Sequence, residues 1–296
     1  MALEKILICP VCNSSTLTEH LSTKDYTTSQ EEFTVLKCNI CELGVTSPVP
    51  STESIGRYYQ SENYISHTGG SQNFADMLYR QARSFMHGRK RMQIEKFSSR
   101  GNILDYGCGT GEFLQYMRKK GWKTIGVEPS DAARAKATNL NPGSIFSSLQ
   151  ESPSIQVDVI SLWHVAEHLH DLNKIIDQLK SLMKDEATLF VAVPNYQSPD
   201  AIRYQQYWAG YDVPRHLWHF SKKSMHQLMQ NHGMKIVDIQ PMILDSFYIS
   251  FISEQYRNPE IPKLQAMVKG VINGFRSNLE GKETTNYSSL LYIIQK

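Results

Sequence analysis

The stretch Ile103–Phe113, "ILDYGCGTGEF", sets three glycines at alternate positions directly after a short apolar run that carries an aspartate. Two kinds of ligand suit a glycine-rich turn between a strand and a helix. Backbone N–H groups there can cradle a phosphate, or the bare backbone can admit an adenosyl ligand at close range. Spacing separates the two. The dinucleotide fingerprint runs G-x-G-x-x-G, whereas Gly107, Gly109 and Gly111 run G-x-G-x-G, with Glu112 where a third dinucleotide glycine would stand. No Gly-Lys-Ser/Thr follows, which excludes a P-loop.

Charge narrows the choice further. Asp105 at the strand tip and Glu112 at the start of the helix would repel a pyrophosphate, but they suit a ligand that carries a sulfonium and an ammonium. That ligand is S-adenosylmethionine. Glu128, 17 residues after Gly111 in "TIGVEPS", ends the next strand and is placed to accept hydrogen bonds from both ribose hydroxyls, with Pro129 and Ser130 beside it.

Outward from the glycine turn, strand and helix periods alternate. "NILDY", "WKTIGVE", "VDVISLW" and "TLFVAVP" read as strands; "GEFLQYMRKKG", "SDAARAKATNL" and "DLNKIIDQLKSLMK" read as helices. This pattern predicts an α/β fold with a parallel sheet covered on both faces. Glu112 opens the first helix, Lys119 and Lys120 close it, and Gly121 stops it, as dipole and capping preferences require. Asp171 is the expected N-cap of the third helix, whose apolar stripe runs from Leu172 to Met183. Further on, "SKKSMHQLMQNHG" reads as a helix, "MKIVDIQPMI" as a strand and "SLLYIIQK" as a final strand, with a helical insertion at about 244–286.

With these elements in place, the sequence resembles the class I S-adenosylmethionine-dependent methyltransferases over roughly residues 100 to 240. Their pattern is a strand, D/E-x-G-x-G-x-G, a helix, a second strand and an acidic residue. The resemblance implies a Rossmann-like, doubly wound sheet. It places the loop of Asp105, Gly107, Cys108, Gly109 and Gly111 under the methionine part of the cofactor, Glu128 at the ribose, and Leu149 and Trp163 flanking the adenine and the methionine tail. Where many relatives carry an acidic residue after the third strand, this chain has "FSSLQE", which leaves Ser147 or Ser148 for the adenine amine. The thiol of Cys108 reads as a small buried filler.

Residues 1–50 hold Cys9-Pro-Val-Cys12 and Cys38-Asn-Ile-Cys41, the two pairs separated by 25 residues that are too polar to make a core. Paired C-x-x-C at this spacing predicts a zinc ribbon with a closed shell of four thiolates, hence a structural rather than catalytic zinc. A redox-active C-x-x-C is the competing reading. A ribbon ahead of a class I core also resembles a bacterial group of zinc-ribbon methyltransferases that includes nucleotide-sugar C-methyltransferases. Residues 51–100 read as a helical bridge or lid, with Phe74, Leu78, Phe85, Met92 and Phe97 near helical spacing and Tyr58, Tyr59 and Tyr64 as lid candidates. Residues 101–296 would form the methyltransferase domain.

Chemistry is expected at the carboxyl ends of the strands, between the glycine-loop strand and "VDVISLW". The latter runs into "WHVAEHLHD", where His168 is the first candidate for a base that takes the acceptor proton and His164 the second. Capping of the next helix is the plainer alternative for such a histidine. A third reading joins His164, Glu167 and His168 in a divalent-metal site, as in some ubiquinone-type O-methyltransferases that this loop resembles. A second polar cluster, "YDVPRHLWHFS", offers Asp212, Arg215 and His216 to an acceptor, with Arg215 suited to a phosphate or carboxylate. The alternative there is a salt-bridged loop that pins the C-terminal helix.

Charge and hydropathy bound the function. With 31 Lys+Arg against 29 Asp+Glu there is no global field for nucleic acid or an anionic membrane. No apolar run approaches the roughly 20 residues of a membrane span, and the start "MALEKILICP" lacks a secretion signal, so a cytoplasmic protein is expected. The leading expectation is a methyltransferase acting on a small molecule, such as a saccharide, a nucleotide-sugar or a related metabolite. The alternatives are an RNA methyltransferase gripping RNA through the ribbon and the basic run Arg80, Arg83, Arg89, Lys90, Arg91, and a non-catalytic S-adenosylmethionine-binding module.

Overall fold

The computed structural model describes residues 3–59 and 85–296. Tyr64, Phe74, Leu78, Arg80 and Arg83 therefore lie outside the described residues.

The N-terminal segment forms β1 (Leu3–Glu4), β2 (Leu17–Lys24), β3 (Glu32–Cys38), β4 (Gly44–Ser47) and β5 (Val49–Pro50), with β1 paired antiparallel to β5. The main sheet comprises β6 (Asn102–Tyr106), β7 (Lys123–Val127), β8 (Ile145–Phe146), β9 (Val157–Trp163), β10 (Met183–Pro194), β12 (Lys235–Pro241) and β13 (Ser289–Gln295); β11 (Trp218–His219) lies elsewhere. Its order is β12-β13-β10-β9-β6-β7-β8. The ladders from β10 through β8 are parallel, and β13 runs antiparallel to both β10 and β12. Successive strands step from β6 outward through β7 to β8 and then restart at β9 on the other side of β6, so the strand order switches between β6 and β9.

Alternate residues of the central strands serve two different cores, which is what a doubly wound sheet requires. Leu104 and Ile160 pack with Ile176 and Leu179 of the helix Leu172–Leu182 and with Met225 and Leu228 of the helix Lys222–Asn231. Ile103 and Val159 face the other way, onto Phe113 and Met117 of the helix Glu112–Lys119 and onto Ile94. Each such fully buried aliphatic side chain contributes roughly 1.5–3 kcal/mol. Asp171 takes the N-cap position without making a side-chain bond, whereas Ser221 and Ser224 form a complete capping box.

The ribbon has no separate core. Strand β11, from the polar loop far along the chain, joins β4, β3 and β2 to complete a four-stranded sheet. Val11, Leu43 and Val45 pack with Leu217, Trp218 and Phe220, and Phe33 and Val35 pack with Tyr204, Trp208 and Tyr211. Side-chain bonds stitch the seam: Thr46 Oγ1 donates to His216 O at 2.6 Å, and Tyr196 Oη donates to Glu42 O at 2.7 Å.

Residues 85–94 are helical, but the expected apolar stripe is corrected: Phe85 and Met92 are exposed, and the buried contacts come from Ile94 and Phe97. The insertion consists of the helices Asp245–Arg257 and Lys263–Thr284. They meet closely because Gly270 and Gly274 face Phe251 and Phe247, where an added Cβ would come within 2.7–2.8 Å of backbone and side-chain atoms. Among the described residues no helix is long and apolar enough to cross a membrane.

Candidate active site

The glycine loop is built by backbone bonds to the neighbouring strand. The N–H groups of Gly107 and Cys108 both donate to Val127 O, at 2.8 and 3.0 Å, and Gly109 N donates to Glu128 Oε2 at 2.8 Å. Ser130 N donates to the other oxygen, Oε1, at 2.9 Å. All three glycines have positive φ, between 55° and 76°, a region that L side chains adopt at a cost of roughly 1–2 kcal/mol. A Cβ on Gly107 would strike Val165 at 2.5 Å and one on Gly111 would strike Ala137, but one on Gly109 would meet nothing within 4 Å. The loop is thus packed at its ends and open at its centre.

Asp105 is buried beneath the loop and accepts a hydrogen bond from Ser161 Oγ at 2.6 Å. Burial, opposed by that bond and by Lys90, pushes its carboxyl up to about 6. Lys90 reaches the same region: its Nζ lies 4.4 Å from the centroid of the Trp163 ring and 5.4 Å from that of Phe113, and burial brings it down to about 8. The basic run is therefore not one solvated face, since Lys90 turns inward and Arg91 pairs with Glu95 at 3.7 Å. Lys90, Trp163, Leu244 and Asp245 also line a pocket at this edge. Cys108 packs its thiol with Leu114, Ala137 and Ile145, away from the open part of the loop. Leu149 is half-buried, and the indole N–H of Trp163 is buried without a hydrogen-bond partner.

The loop after β9 packs on the glycine loop through Val165. His164 adopts a positive φ of 57°, which strains a residue other than glycine. Its Nε2 lies 3.1 Å from Asp245 Oδ2, and its Nδ1 lies 3.4 Å from Glu167 Oε1. Burial opposes its charge, but the two carboxylates outweigh burial and push His164 up to about 10. Both of its ring nitrogens thus face carboxylates.

His168 is the opposite case. Its Nδ1 lies 2.9 Å from Arg215 O, and a carbonyl can only accept, so Nδ1 carries the hydrogen and Nε2 the lone pair. Burial and the nearby His216 bring it down to about 4. Tyr59 Oη lies 3.1 Å from the same Nδ1. Tyr58, by contrast, packs against Phe33 in the buried seam with the ribbon. His216 stands edge-on to His168 with ring centroids 4.6 Å apart, and its Nδ1 lies 2.9 Å from Gly210 O, which sets the same tautomer. Of the sequence candidates, the fold brings His164, His168 and His216 together around Glu167.

Arg215 is 1% exposed. Its Nε and Nη2 donate to Asp212 at 3.0 and 2.6 Å, Nη2 also donates to Asp25 Oδ1 at 3.0 Å, and Nη1 donates to Tyr58 O at 2.7 Å. The guanidinium therefore ties the ribbon hairpin to the loop rather than pinning the C-terminal helix, and its donors face the protein. Asp212 belongs to the same pair and also lies 3.9 Å from His216 Nε2. Asp25 carried no motif in the sequence; only its place between Thr23 and Thr27 in a turn hinted at a role.

The four ribbon cysteines converge. Cys9 and Cys41 Sγ are 3.5 Å apart and Cys12 and Cys38 Sγ 3.4 Å apart, with all four sulfurs within 4.8 Å of one another. A tetrahedral ion with Zn–S of about 2.3 Å needs sulfurs about 3.8 Å apart. The bond from Cys41 brings Cys9 down to about 5 and pushes Cys41 up.

A family profile described as "Methyltransferase domain" matches residues 77–239. Among curated proteins, C-methyltransferase NovU of Streptomyces niveus is 21% identical over 144 residues, covering 46% of this chain and 33% of that protein. The ubiquinone biosynthesis O-methyltransferase of Actinobacillus pleuropneumoniae serotype 7 (strain AP76) is 30% identical over 106 residues, covering 31% of this chain and 45% of that protein. The chain thus spans between a third and a half of these curated relatives. Among solved structures, a SAM-dependent methyltransferase from Archaeoglobus fulgidus is similar with a TM-score of 0.49 at 20% identity, covering 76% of this chain and 100% of that one. The cyclopropane synthase MmaA2 from Mycobacterium tuberculosis is similar with a TM-score of 0.44 at 12% identity, covering 68% of this chain and 79% of that one. With the domain profile spanning more than half of its length, the chain belongs to the methyltransferase domain family.

Proposed function

We propose that this protein is an S-adenosylmethionine-dependent methyltransferase whose acceptor is a small molecule, a saccharide, nucleotide-sugar or related metabolite, and whose ribbon holds a structural zinc. The observation that carries the reading is the glycine loop: closed at Gly107 and Gly111, open at Gly109, and crossed by the Glu128 carboxylate. The residues fit the cofactor. Glu128 has acceptor capacity left for ribose hydroxyls, Gly109 leaves room for close approach, and Asp105 places negative charge where a sulfonium and an ammonium would be neutralised. Cys108, Pro129 and Ser130 contribute backbone, while Leu149 and Trp163 supply apolar walls. Lys90, the cation beside Trp163, suits a carboxylate rather than the sulfonium.

When bound, S-adenosylmethionine supplies an electrophilic methyl group on sulfur. The chain's own residues then position an acceptor and dispose of its proton. His168, neutral and with a lone pair on Nε2, and His216, whose Nδ1 lies against Gly210 O, border the cradle through the loop that Val165 packs onto Gly107. His164, held between Asp245 and Glu167, fixes that loop. Two observations support a small acceptor over RNA: Lys90 is turned inward, and Arg91 is engaged with Glu95. One relative is by its name a ubiquinone biosynthesis O-methyltransferase.

The test is transfer of labelled methyl groups. Zinc-loaded protein is supplied with methyl-labelled S-adenosylmethionine and a cell extract, and the products are separated by size. Label in the low-mass pool is expected. Label confined to RNA or protein, or no transfer alongside intact cofactor binding, would overturn the acceptor reading.

A further inference from the structure

The helix Lys263–Thr284 is built for contact on two opposite sides. Its inner side is small and buried. Ala266, Gly270, Gly274 and Gly281 are covered there, and Ser277 Oγ donates to Asp200 Oδ1 at 2.7 Å. Its outer side is large and open: Leu264, Val268, Val271, Phe275 and Leu279, with Met267 and Ile272 beside them, are each 47–69% exposed. At the helical repeat these seven side chains fall within one arc of about 140°. A helix that is apolar on every side is normally covered on every side. The seven leave roughly 700 Å² of apolar surface, more than the about 300–600 Å² of the largest patch on a typical monomer and close to the about 800 Å² that each partner gives to a stable interface.

The spacing indicates what covers this face. Leu264, Val268, Val271 and Phe275 follow one another at intervals of four, three and four residues, which keeps one seam of a helix turned toward a partner helix. The border of the seam is of mixed sign and partly engaged already: Lys269 pairs with Glu254 at 3.8 Å and Glu280 with Arg203 at 2.6 Å. An anionic lipid surface selects a basic border instead.

We propose that the outer face of the helix Lys263–Thr284 is an interface with a second copy of this chain, the two helices packed antiparallel about a two-fold axis near Val271 and Ile272. Identical faces joined by a two-fold axis make a closed pair, the commonest assembly of like chains. The antiparallel register sets Val268 against the partner's Phe275 and Leu264 against the partner's Leu279, so small meets large across the seam and the helix dipoles oppose. A parallel pair would set Phe275 on Phe275 and align the dipoles. The inference is independent of the methyl-transfer reading.

The mass in solution tests it. The full chain, purified with zinc, is followed by sedimentation equilibrium over a wide range of concentration. A particle of twice the chain mass is expected, and Val271→Glu and Phe275→Glu should each weaken its association at least tenfold. Both positions are exposed, so the chain's own core is left intact. Cross-linking checks the register without a charge in the seam: under mild oxidation Val271→Cys should form a covalent dimer and Leu264→Cys should not. A wild type that stays a single chain at every concentration, association unchanged in both glutamate variants, or cross-linking through Leu264→Cys but not Val271→Cys would overturn the proposal. So would a single-chain wild type that floats with phosphatidylglycerol vesicles while Phe275→Glu does not, which would give the face to a lipid surface.

Discussion

The backbone N–H of Gly109 donates to Glu128 Oε2 at 2.8 Å, so the centre of the glycine loop is held by the very carboxylate that ends the next strand. Glycine is needed at neighbouring positions for different reasons. Gly107→Ala brings a Cβ to 2.5 Å from Val165 in a left-handed backbone and should destabilise the fold by about 2–4 kcal/mol. Gly109→Ala meets nothing within 4 Å and should cost about 1–2 kcal/mol of stability while abolishing most cofactor affinity. Thermal unfolding and ligand titration of the pair check this; equal effects on both properties would contradict it.

Asp105 should make cofactor binding dependent on pH. Its folded-state carboxyl lies at about 6, above the ordinary value of 3.8. The sign follows from the direction: a raised carboxyl adds stability that is present below pH 3.8 and is lost as pH rises through about 6. Asp105→Asn should therefore raise the melting temperature more at pH 8 than at pH 5. Affinity for a cationic ligand should run the other way, falling in the wild type below pH 6 and staying low and flat in the variant. Melting and calorimetric titrations across this range test both slopes.

Arg215 is a tie between ribbon and core. Its replacement by Ala leaves Asp25 and Asp212 without their common partner, and breaking such a buried pair costs about 3–5 kcal/mol. Arg215→Lys should recover little, because one ammonium cannot reproduce the bonds to Asp25, Asp212 and Tyr58 O at once. Denaturant unfolding is the measurement. A variant with normal stability and a raised KM would point instead to contact with an acceptor.

Removing the ribbon metal should loosen more than the ribbon. Cys9, Cys38 and Cys41 share a core with Trp218, Phe220 and Met225, so Cys38→Ser or chelation is expected to lower the single melting transition of the whole chain by several degrees. Calorimetry would show two separate transitions if the ribbon were independent.

Much of this was legible in the sequence because local signals agreed. The Gly107-Gly109-Gly111 spacing, the apolar runs of β6, β9 and β10 and the C-terminal strand β13 each carry their own period, and the two C-x-x-C pairs carry their own geometry. What escaped depends on contacts between distant segments. Nothing near Trp218 and His219 announces that they will pair with Val45 and Gly44, and no spacing rule links His164 to Asp245 or Arg215 to Asp25. Arg215 looked free to grip an acceptor because one of its two carboxylate partners, Asp25, lies 190 residues away. The exposure of Phe85 and Met92 likewise follows from packing, since helical spacing identifies a face without saying what covers it.

The most direct test of the central claim is calorimetric titration of S-adenosylmethionine into the wild type and into Glu128→Ala. The account predicts one site per chain, weakened about 10- to 100-fold by loss of charge-assisted hydrogen bonds. No binding by the folded wild type, or the same affinity in the variant, would contradict it.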